Sequence, residues 1–190
     1  MNIVLIGFMG TGKSAVGRNL ARRLDARHLD TDAEIEREVG KPIPQIFADE
    51  GEAAFRARET TLLSSLAPQN WGGGASLTPP LLGAGGMILS TGGGTPLRAE
   101  NAALLRQIGT VVWLCVSPEV IFARVEKDLH ERPLLYGHAD NPLRRIEALL
   151  VEREPRYAAL ADYQLDTSAC VNADEAAGKV LELLGLSTQE

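Results

Sequence analysis

A glycine-rich segment near the start of the chain constrains its fold more than any other feature. Residues 7–14 read Gly-Phe-Met-Gly-Thr-Gly-Lys-Ser, which is a glycine, four residues and then Gly-Lys-Ser. The apolar run 2–6 before it predicts a buried strand, and helical periodicity begins at Ser14. A glycine turn between a strand and a helix lets backbone amides and the helix N-terminus surround an anion. The pattern therefore predicts a loop that binds the phosphates of a nucleoside triphosphate.

Two side chains of this loop have separate expected tasks. Lys13 is expected to reach the β- and γ-phosphates, and the Ser14 hydroxyl is expected to ligate Mg²⁺. A plain glycine turn is the alternative interpretation, and the strand before the loop and the helix after it disfavour that alternative. The residues predicted to contact the nucleotide in this loop are Gly10, Thr11, Gly12, Lys13, Ser14 and Ala15.

Strand and helix patterns alternate along the rest of the chain. Strands are predicted at 2–6, 28–30, 87–90, 111–116 and 163–166. Amphipathic segments between these runs predict helices. Strands that alternate with helices form parallel sheets that are covered on both faces. We therefore expect an α/β fold of the P-loop NTPase type, a three-layer sandwich with a five-stranded parallel sheet.

Capping residues, glycines and prolines predict where several helices begin and break. Thr31 and Glu34 have the spacing of a capping box, so the second helix is predicted to open at Thr31 with these two side chains satisfying backbone donors. The range 51–66 predicts a longer helix. The range 142–160 predicts a helix with a break near Pro155, because proline lacks the amide hydrogen.

The 190 residues fit a single domain that spans 1–190. Two stretches inside it are predicted to be loops. The first, 68–86, is rich in glycine and proline and carries almost no charge, and a loop of this length is uncommon in compact domains. The second, 129–141, is polar and contains Pro133 and Gly137, which predicts a mobile loop.

Charge and composition exclude several classes of function. The net charge is −6 and no basic block occurs, so neither nucleic acid nor an anionic membrane is an expected partner. No apolar run approaches the roughly 20 residues of a membrane span. The two cysteines, Cys115 and Cys170, have no metal-binding spacing and indicate a reducing compartment. We expect a monomer in the cytoplasm.

Two carboxylates, Asp30 and Asp32, lie at the carboxyl end of the second predicted strand, at the sheet edge where the phosphate loop also lies. Asp30 could hold Mg²⁺ through water, and Asp32 could orient an acceptor hydroxyl and take its proton. The alternative for Asp32 is a purely electrostatic contribution to the helix N-terminus, worth about 0.3–1 kcal/mol.

Four further features carry charge or unusual backbone freedom. Arg56 lies three residues before Glu59 on a predicted helix, where a surface ion pair is the plain alternative. The range 92–94 is three successive glycines after a strand, which permits close approach to a ligand or a merely flexible turn. Arg132 lies in the predicted mobile loop 129–141, from which it could move onto transferring phosphates, and Arg153 lies near the predicted helix break. Each could also be a solvated charge.

Taken together and in this order, these features resemble the shikimate kinase family over about residues 2–185. The matching pieces are the GxxGxGKS loop with Gly17, the Asp-x-Asp pair, the Gly-Glu…Phe-Arg…Glu segment, the triple glycine, the Arg-Pro-Leu-Leu lid and the Arg-x-Pro-x-Tyr segment. The loop alone is a weak family marker, whereas the ordered set is specific.

The resemblance implies an ATP-dependent kinase with Mg²⁺ as its cofactor. Ser14 and Asp30 would organise the metal, and Arg132 would come from the lid to the phosphates. Arg124 would flank adenine, with 168–172 forming part of the wall of the adenine pocket. The local spacing of the last two features differs from the family pattern.

The resemblance also implies shikimate as the acceptor. Asp32 would bind its hydroxyls and act as the base at the 3-hydroxyl, and Arg56 and Arg153 would hold its carboxylate together with the amide of Gly93. Gly92 and Gly94 complete that part of the substrate site. The predicted catalytic residues are therefore Lys13, Asp32 and Arg132.

Two other functions share part of this pattern. Another small-metabolite kinase, such as gluconate kinase, would have the same loop and lid, but the aspartate pair and the triple glycine favour shikimate. A catalytically inactive nucleotide-binding regulator would have lost acceptor residues, and the candidates named are all present.

The sequence departs from the family pattern at residue 156. It is arginine where the family often has leucine, which adds a second cation near Arg153.

The loop 68–86 is predicted to be peripheral to catalysis, because it enters the strand that begins at Met87 and so lies at the sheet edge opposite the phosphate loop. Loop length changes closure entropy by only about 0.6 kcal/mol per doubling. Replacing 69–84 with a short Gly-Ser connector should therefore leave kcat and both KM values within about threefold, or roughly 0.65 kcal/mol. A folded deletion variant that loses most of its activity would contradict this placement.

Overall fold

The computed structural model describes residues 1–67, 86–126 and 141–186. Five short strands form one parallel sheet in the order β2-β3-β1-β4-β5. The strands are β1 (Asn2–Ile6), β2 (Arg27–Asp30), β3 (Met87–Ser90), β4 (Thr110–Cys115) and β5 (Tyr163–Asp166). The helices are α1 (Lys13–Arg23), α2 (Thr31–Val39), α3 (Ile43–Leu66), α4 (Ala99–Ile108), α5 (Pro118–Val125), α6 (Pro142–Leu160) and α7 (Ala173–Leu183), with a 3₁₀ turn at Thr95–Leu97.

Helices cover both faces of the sheet, as the alternating pattern predicted. Successive side chains of β1 point to opposite faces, because strand side chains alternate. Val4 and Ile6 join a core with residues of α3, α4 and α6. Ile3 and Leu5 join a second core with residues of α1 and α7. The predicted α/β fold with a five-stranded parallel sheet is therefore confirmed.

The pairing of β3 with its two neighbours determines where the loops leave the sheet. Ser90, the last residue of β3, lies opposite Leu5 of β1 and Asp30 of β2. The segments that follow these three strands therefore emerge side by side at one edge. Gly86 lies at the other end of β3, where its carbonyl accepts from the amide of Arg27 at 3.0 Å. That is the edge to which the loop 68–86 was assigned.

The predicted capping box is wrong. Asp30, not Thr31, caps α2: its side chain accepts from the backbone amides of Asp32 at 3.1 Å and Ala33 at 3.3 Å. The Thr31 hydroxyl accepts instead from the amide of Gly92 at 2.9 Å, so it is unavailable as a cap. A contact across 61 residues has replaced the local one.

One helix prediction is confirmed with an addition, and one is wrong. Gly51 has non-helical angles (φ 83°, ψ 166°) that divide α3 into two segments, so a helix does follow Gly51 as predicted, and a further segment that begins at Ile43 precedes it. The predicted break near Pro155 does not occur, and α6 continues through it. Proline lacks the amide that would bond to the carbonyl of Val151, and this part of the helix faces solvent, with Val151 74% exposed.

The predicted lid at 129–141 and the loop at 68–86 lie outside the described residues, apart from Asn141 and Gly86. Arg132 is among the residues not described. Within the described ranges, none of the helices is both long enough and apolar enough to cross a membrane.

Candidate active site

The phosphate loop connects the end of β1 to the first turn of α1. Three of its residues, Gly7, Gly10 and Gly12, have φ between 75° and 143°, a region that favours glycine. The buried Lys13 ammonium donates to the carbonyl oxygens of Gly7 at 2.9 Å and Phe8 at 2.7 Å. The lysine is thus held against the loop that it is predicted to serve, which keeps its charge where phosphate oxygens would bind.

Ser14 and Asp30 meet at the start of α1. The Ser14 hydroxyl donates to Oδ2 of Asp30 at 2.5 Å, while Oδ1 of Asp30 caps α2. Among the described residues no group of three or more His, Cys, Asp or Glu side chains could hold a metal by itself. A pair of oxygen donors beside a phosphate loop fits Mg²⁺, which usually takes one or two protein ligands and completes its shell with phosphates and water.

Asp32 lies in the first turn of α2 and faces the phosphate loop. Burial raises the pKa of its carboxyl to about 6, and the nearby carboxylates of Asp30 and Glu59 act in the same direction. Lys13 and Arg56 oppose the shift without cancelling it. A carboxyl whose pKa is raised toward neutrality is a better proton acceptor than an exposed one.

Arg56 projects from α3 toward the same place. Its guanidinium bonds to Glu59 at 2.8 Å and to Glu52 at 3.0 Å. Glu59 is fully buried, and the Thr95 hydroxyl also donates to it. The alternative of a surface ion pair is therefore wrong for Arg56 and Glu59, because one partner has left solvent entirely. The buried Glu59 carboxylate fixes one side of the guanidinium, whereas Glu52 is exposed.

Arg153 reaches the site from α6 and differs from Arg56 in its surroundings. Its guanidinium carbon lies 5.4 Å from the centre of the Phe8 ring, and the side chain is buried. Within the described residues no carboxylate forms an ion pair with it, and its buried Nε has no hydrogen-bond partner. A buried cation without a carboxylate is costly unless an anion binds there. Arg153 is therefore a candidate site for an anionic group of a ligand.

The triple glycine lies between these side chains. A Cβ on Gly92 would come within 2.5 Å of an Asp32 carboxylate oxygen, and one on Gly94 within 2.7 Å of the Arg56 guanidinium. No larger residue fits at either position without moving a site residue. No described residue accepts a hydrogen bond from the amides of Gly93 or Gly94. Those two amides can therefore donate to a ligand.

Arg156, the extra cation near Arg153, does not face this site. It is exposed, and its guanidinium donates to the carbonyl of Leu97 at 2.6 Å. It lines a different depression, between α4 and α6.

A further cavity lies on the other side of the phosphate loop. Arg124 borders it and donates to the carbonyl of Gly10 at 3.1 Å. Thr167 and residues 170–173 form the opposite wall. The sequence predicts that Arg124 and residues 168–172 surround adenine. Arg124 and residues 170–172 line this cavity.

Three cavities thus form a continuous row along the carboxyl edge of the sheet. The cavity beside Arg124 shares Gly12 and Ala15 with the central cavity of the phosphate loop. The central cavity shares Asp32 and Gly93, together with Met9, with a third cavity of about 480 Å³ that Arg56 and Arg153 line. The row has room for a nucleoside, then its phosphates, then an acceptor.

The structure brings together every sequence-predicted site residue that it describes. Arg132 is the one predicted site residue outside the described ranges. Sequence reasoning gave no role to Glu59, to the Phe8 ring beneath Arg153, or to the apolar wall that Pro44 and Phe47 add to the third cavity. The three-residue spacing of Arg56 and Glu59 was a signal for the first, whereas the others depend on contacts between distant segments.

The raised pKa of Asp32 predicts a dependence of stability on pH. Because its pKa is higher in the folded protein than the ordinary 3.8, the folded state binds more protons between pH 4 and 6, and stability falls as pH rises through that window. Asp32→Asn removes this penalty and should raise the free energy of unfolding at pH 8 by about 1–3 kcal/mol.

Urea unfolding of both proteins at pH 4.5 and pH 8 measures the effect, and the difference should shrink at the lower pH. Asp49→Asn is the matched control, because Asp49 is an exposed carboxylate that pairs with Lys41 at 2.7 Å. An Asp32→Asn protein that is no more stable than wild type at pH 8 would contradict the effect of burial.

The chain is similar to known proteins over nearly its whole length. The family model described as shikimate kinase matches residues 9–184. The shikimate kinase of Pelotomaculum thermopropionicum is 44% identical over 184 residues, which cover 96% of this chain and 95% of that protein. The shikimate kinase of Neisseria meningitidis serogroup C is 41% identical over 168 residues, 88% of each chain.

The solved structures agree with the sequence relatives. The shikimate kinase from Acinetobacter baumannii, solved in complex with shikimate, superposes with a TM-score of 0.81 at 39% identity, covering 96% of this chain and 92% of that one. The Aquifex aeolicus shikimate kinase gives a TM-score of 0.73 at 31% identity, covering 97% and 96%. Sequence, fold and the arrangement of the site all lead to the same assignment, and the chain belongs to the shikimate kinase family.

Proposed function

We propose that the chain transfers the γ-phosphoryl group of ATP to the 3-hydroxyl of shikimate, giving shikimate 3-phosphate and ADP on the route to chorismate and the aromatic amino acids. One observation carries the proposal: Asp32 and Gly93 line both the phosphate cavity and the third cavity. An acceptor in the third cavity therefore has its hydroxyl beside the γ-phosphate, and phosphoryl transfer depends mainly on such positioning.

On the nucleotide side, the loop amides and Lys13 would bind the phosphates. Arg124 would lie against the adenine, since it borders the cavity beyond the loop. Arg132 would come from the predicted lid to the phosphates. These assignments follow the family resemblance, and the position of the Lys13 ammonium inside the loop supports the first of them.

Ser14 and Asp30 would hold Mg²⁺. Their oxygens already meet at 2.5 Å on the phosphate side of Asp32, and the cap of α2 fixes the orientation of the Asp30 carboxylate. The bound metal would neutralise charge on the β- and γ-phosphates during transfer. The protein supplies few ligands of its own, in keeping with a metal that enters with ATP.

The third cavity suits a small carboxylic acid. Arg56 and Arg153 would each offer two parallel donors to the carboxylate, which gives both strength and geometric selectivity. The amides of Gly93 and Gly94 have no described acceptor, so they would donate to the carboxylate or an adjacent hydroxyl. Phe47 and Pro44 add an apolar wall that would contact the carbon ring.

Asp32 would act as the base at the 3-hydroxyl. It lies where the acceptor and phosphate cavities meet, and its raised pKa lets it accept a proton near neutral pH.

We propose that the protein is a monomer in the cytoplasm. The free thiols of Cys115 and Cys170 agree with a reducing compartment.

A coupled assay of ADP release separates this function from its rivals. With ATP and Mg²⁺, wild type should turn over shikimate and not gluconate. Lys13→Ala should remove detectable turnover, because that ammonium stabilises charge that migrates during transfer. Gluconate turnover would identify another kinase, and tight ATP binding without turnover of either acid would identify a regulator. Lys13→Ala with near-normal kcat would exclude the phosphate loop from the mechanism.

The two arginines make the carboxylate assignment testable. Arg56→Lys and Arg153→Lys conserve charge but lose the planar fork, so each should raise KM for shikimate about tenfold, or roughly 1.4 kcal/mol. KM for ATP should stay within twofold. Arg156→Lys is the matched control, since Arg156 bonds to Leu97 outside the cavity. Unchanged KM in both variants would mean that the carboxylate is held elsewhere.

A further inference from the structure

The hydroxyl of Tyr157 makes a contact that the proposed function does not use. The side chain is fully buried in α6, and its ring packs 5.9 Å from the ring of Trp113. Its hydroxyl donates to the carbonyl oxygen of Gly93 at 2.6 Å. Phenylalanine would fill the same apolar space, so packing does not explain the hydroxyl. The hydroxyl contacts the glycine turn and also interacts with the Arg153 side chain, so it joins these two parts of the acceptor site.

Tyr157 and Arg153 act from the same face of one helix. They are four residues apart in α6, which places them one turn apart on the same side. Arg153 faces the third cavity, and Tyr157 reaches the backbone that forms the edge of that cavity. The same helix therefore positions a cation and a backbone segment around one ligand.

The bond to the Gly93 carbonyl fixes more than one atom. A peptide unit is planar and trans, so the carbonyl of Gly93 and the N–H of Gly94 point in opposite directions. Fixing the carbonyl toward Tyr157 therefore turns the Gly94 amide away from α6. Glycine residues otherwise have wide backbone freedom, so this plane needs an external restraint.

Gly94 itself lies beside Arg56. The position of a Cβ on Gly94 would be 2.7 Å from the Arg56 guanidinium, and both residues line the third cavity. Burial raises the pKa of the Tyr157 hydroxyl to about 12, with Arg153 acting in the opposite direction, so the hydroxyl remains a donor at every working pH.

We propose that Tyr157 is a positioning residue, whose hydroxyl locks the Gly93–Gly94 peptide so that its N–H and the Arg153 guanidinium converge on the acceptor carboxylate. The inference rests on the proposed function and adds a residue to its acceptor site. Loss of the Tyr157 hydroxyl should therefore weaken binding of the acceptor and leave binding of the nucleotide unchanged.

Tyr157→Phe tests the inference, because it removes the hydroxyl and keeps the ring. KM for shikimate should rise about five- to tenfold, equivalent to roughly 1–1.4 kcal/mol, while kcat and KM for ATP stay within about threefold. Tyr163→Phe, at an exposed tyrosine of β5, should change neither constant. Trp113→Phe is the control for packing, since it loosens the ring contact and leaves the Tyr157 hydroxyl in place.

A double-mutant cycle separates positioning from general destabilisation. Tyr157→Phe combined with Arg153→Lys should raise KM for shikimate by less than the product of the two single effects, because both act on one carboxylate. Should Tyr157→Phe fail to fold, p-aminophenylalanine and p-fluorophenylalanine at 157 replace it. They are similar in size, and the amino group alone donates, so the amino variant should keep the lower KM.

The outcomes distinguish this inference from the function on which it rests. Normal wild-type turnover of shikimate with an unchanged KM in Tyr157→Phe overturns the inference and leaves the function standing. An equal rise in KM for Trp113→Phe, or multiplicative effects in the double mutant, also overturns it, because the role would then be structural. Absence of wild-type turnover overturns both.

Discussion

The parallel pairing of β3 between β1 and β2 is the constraint on which the site depends. It sets the ends of three strands side by side, with Ser90 opposite both Leu5 and Asp30. The phosphate loop, the aspartate pair and the triple glycine are far apart in sequence, and this pairing alone makes them neighbours. Chain order does not matter at this edge, because parallel strands all present their carboxyl ends there.

The site concentrates charge that an ordinary core would exclude. Asp32 and the fully buried Glu59 lie within reach of Lys13 and Arg56, and the charge of the Asp32 carboxylate is not fully compensated, since its pKa stays raised. Arg153 is the opposite case, because it is a buried cation to which no described carboxylate is paired. A ligand with a carboxylate at one end and a hydroxyl at the other relieves both. The destabilised side chains are therefore those that would bind the substrate.

The sequence predicts those features that depend on interactions between residues close together in the chain. The phosphate loop, the strands and the edge at which the site forms all follow from patterns within about ten residues. The prediction for Thr31 fails because its hydroxyl bonds to Gly92, a partner 61 residues away, and Asp30 takes over the cap. The predicted break at Pro155 is also wrong, since α6 continues through it, and the bond that the proline removes falls in an exposed turn of the helix. The burial of Glu59 could not be predicted, since its spacing from Arg56 also fits a surface pair.

Non-local contacts link the phosphate loop to the acceptor cavity. The Phe8 ring, at a position that the loop pattern leaves open, supports the Arg153 guanidinium. A Cβ on Gly93 would lie 3.2 Å from the amide nitrogen of Met9, so the loop and the glycine turn are in close contact. The same backbone therefore forms one wall for each substrate. Because protein interiors are close-packed, a shift of the loop would press on Gly93 and on the contact between Phe8 and Arg153.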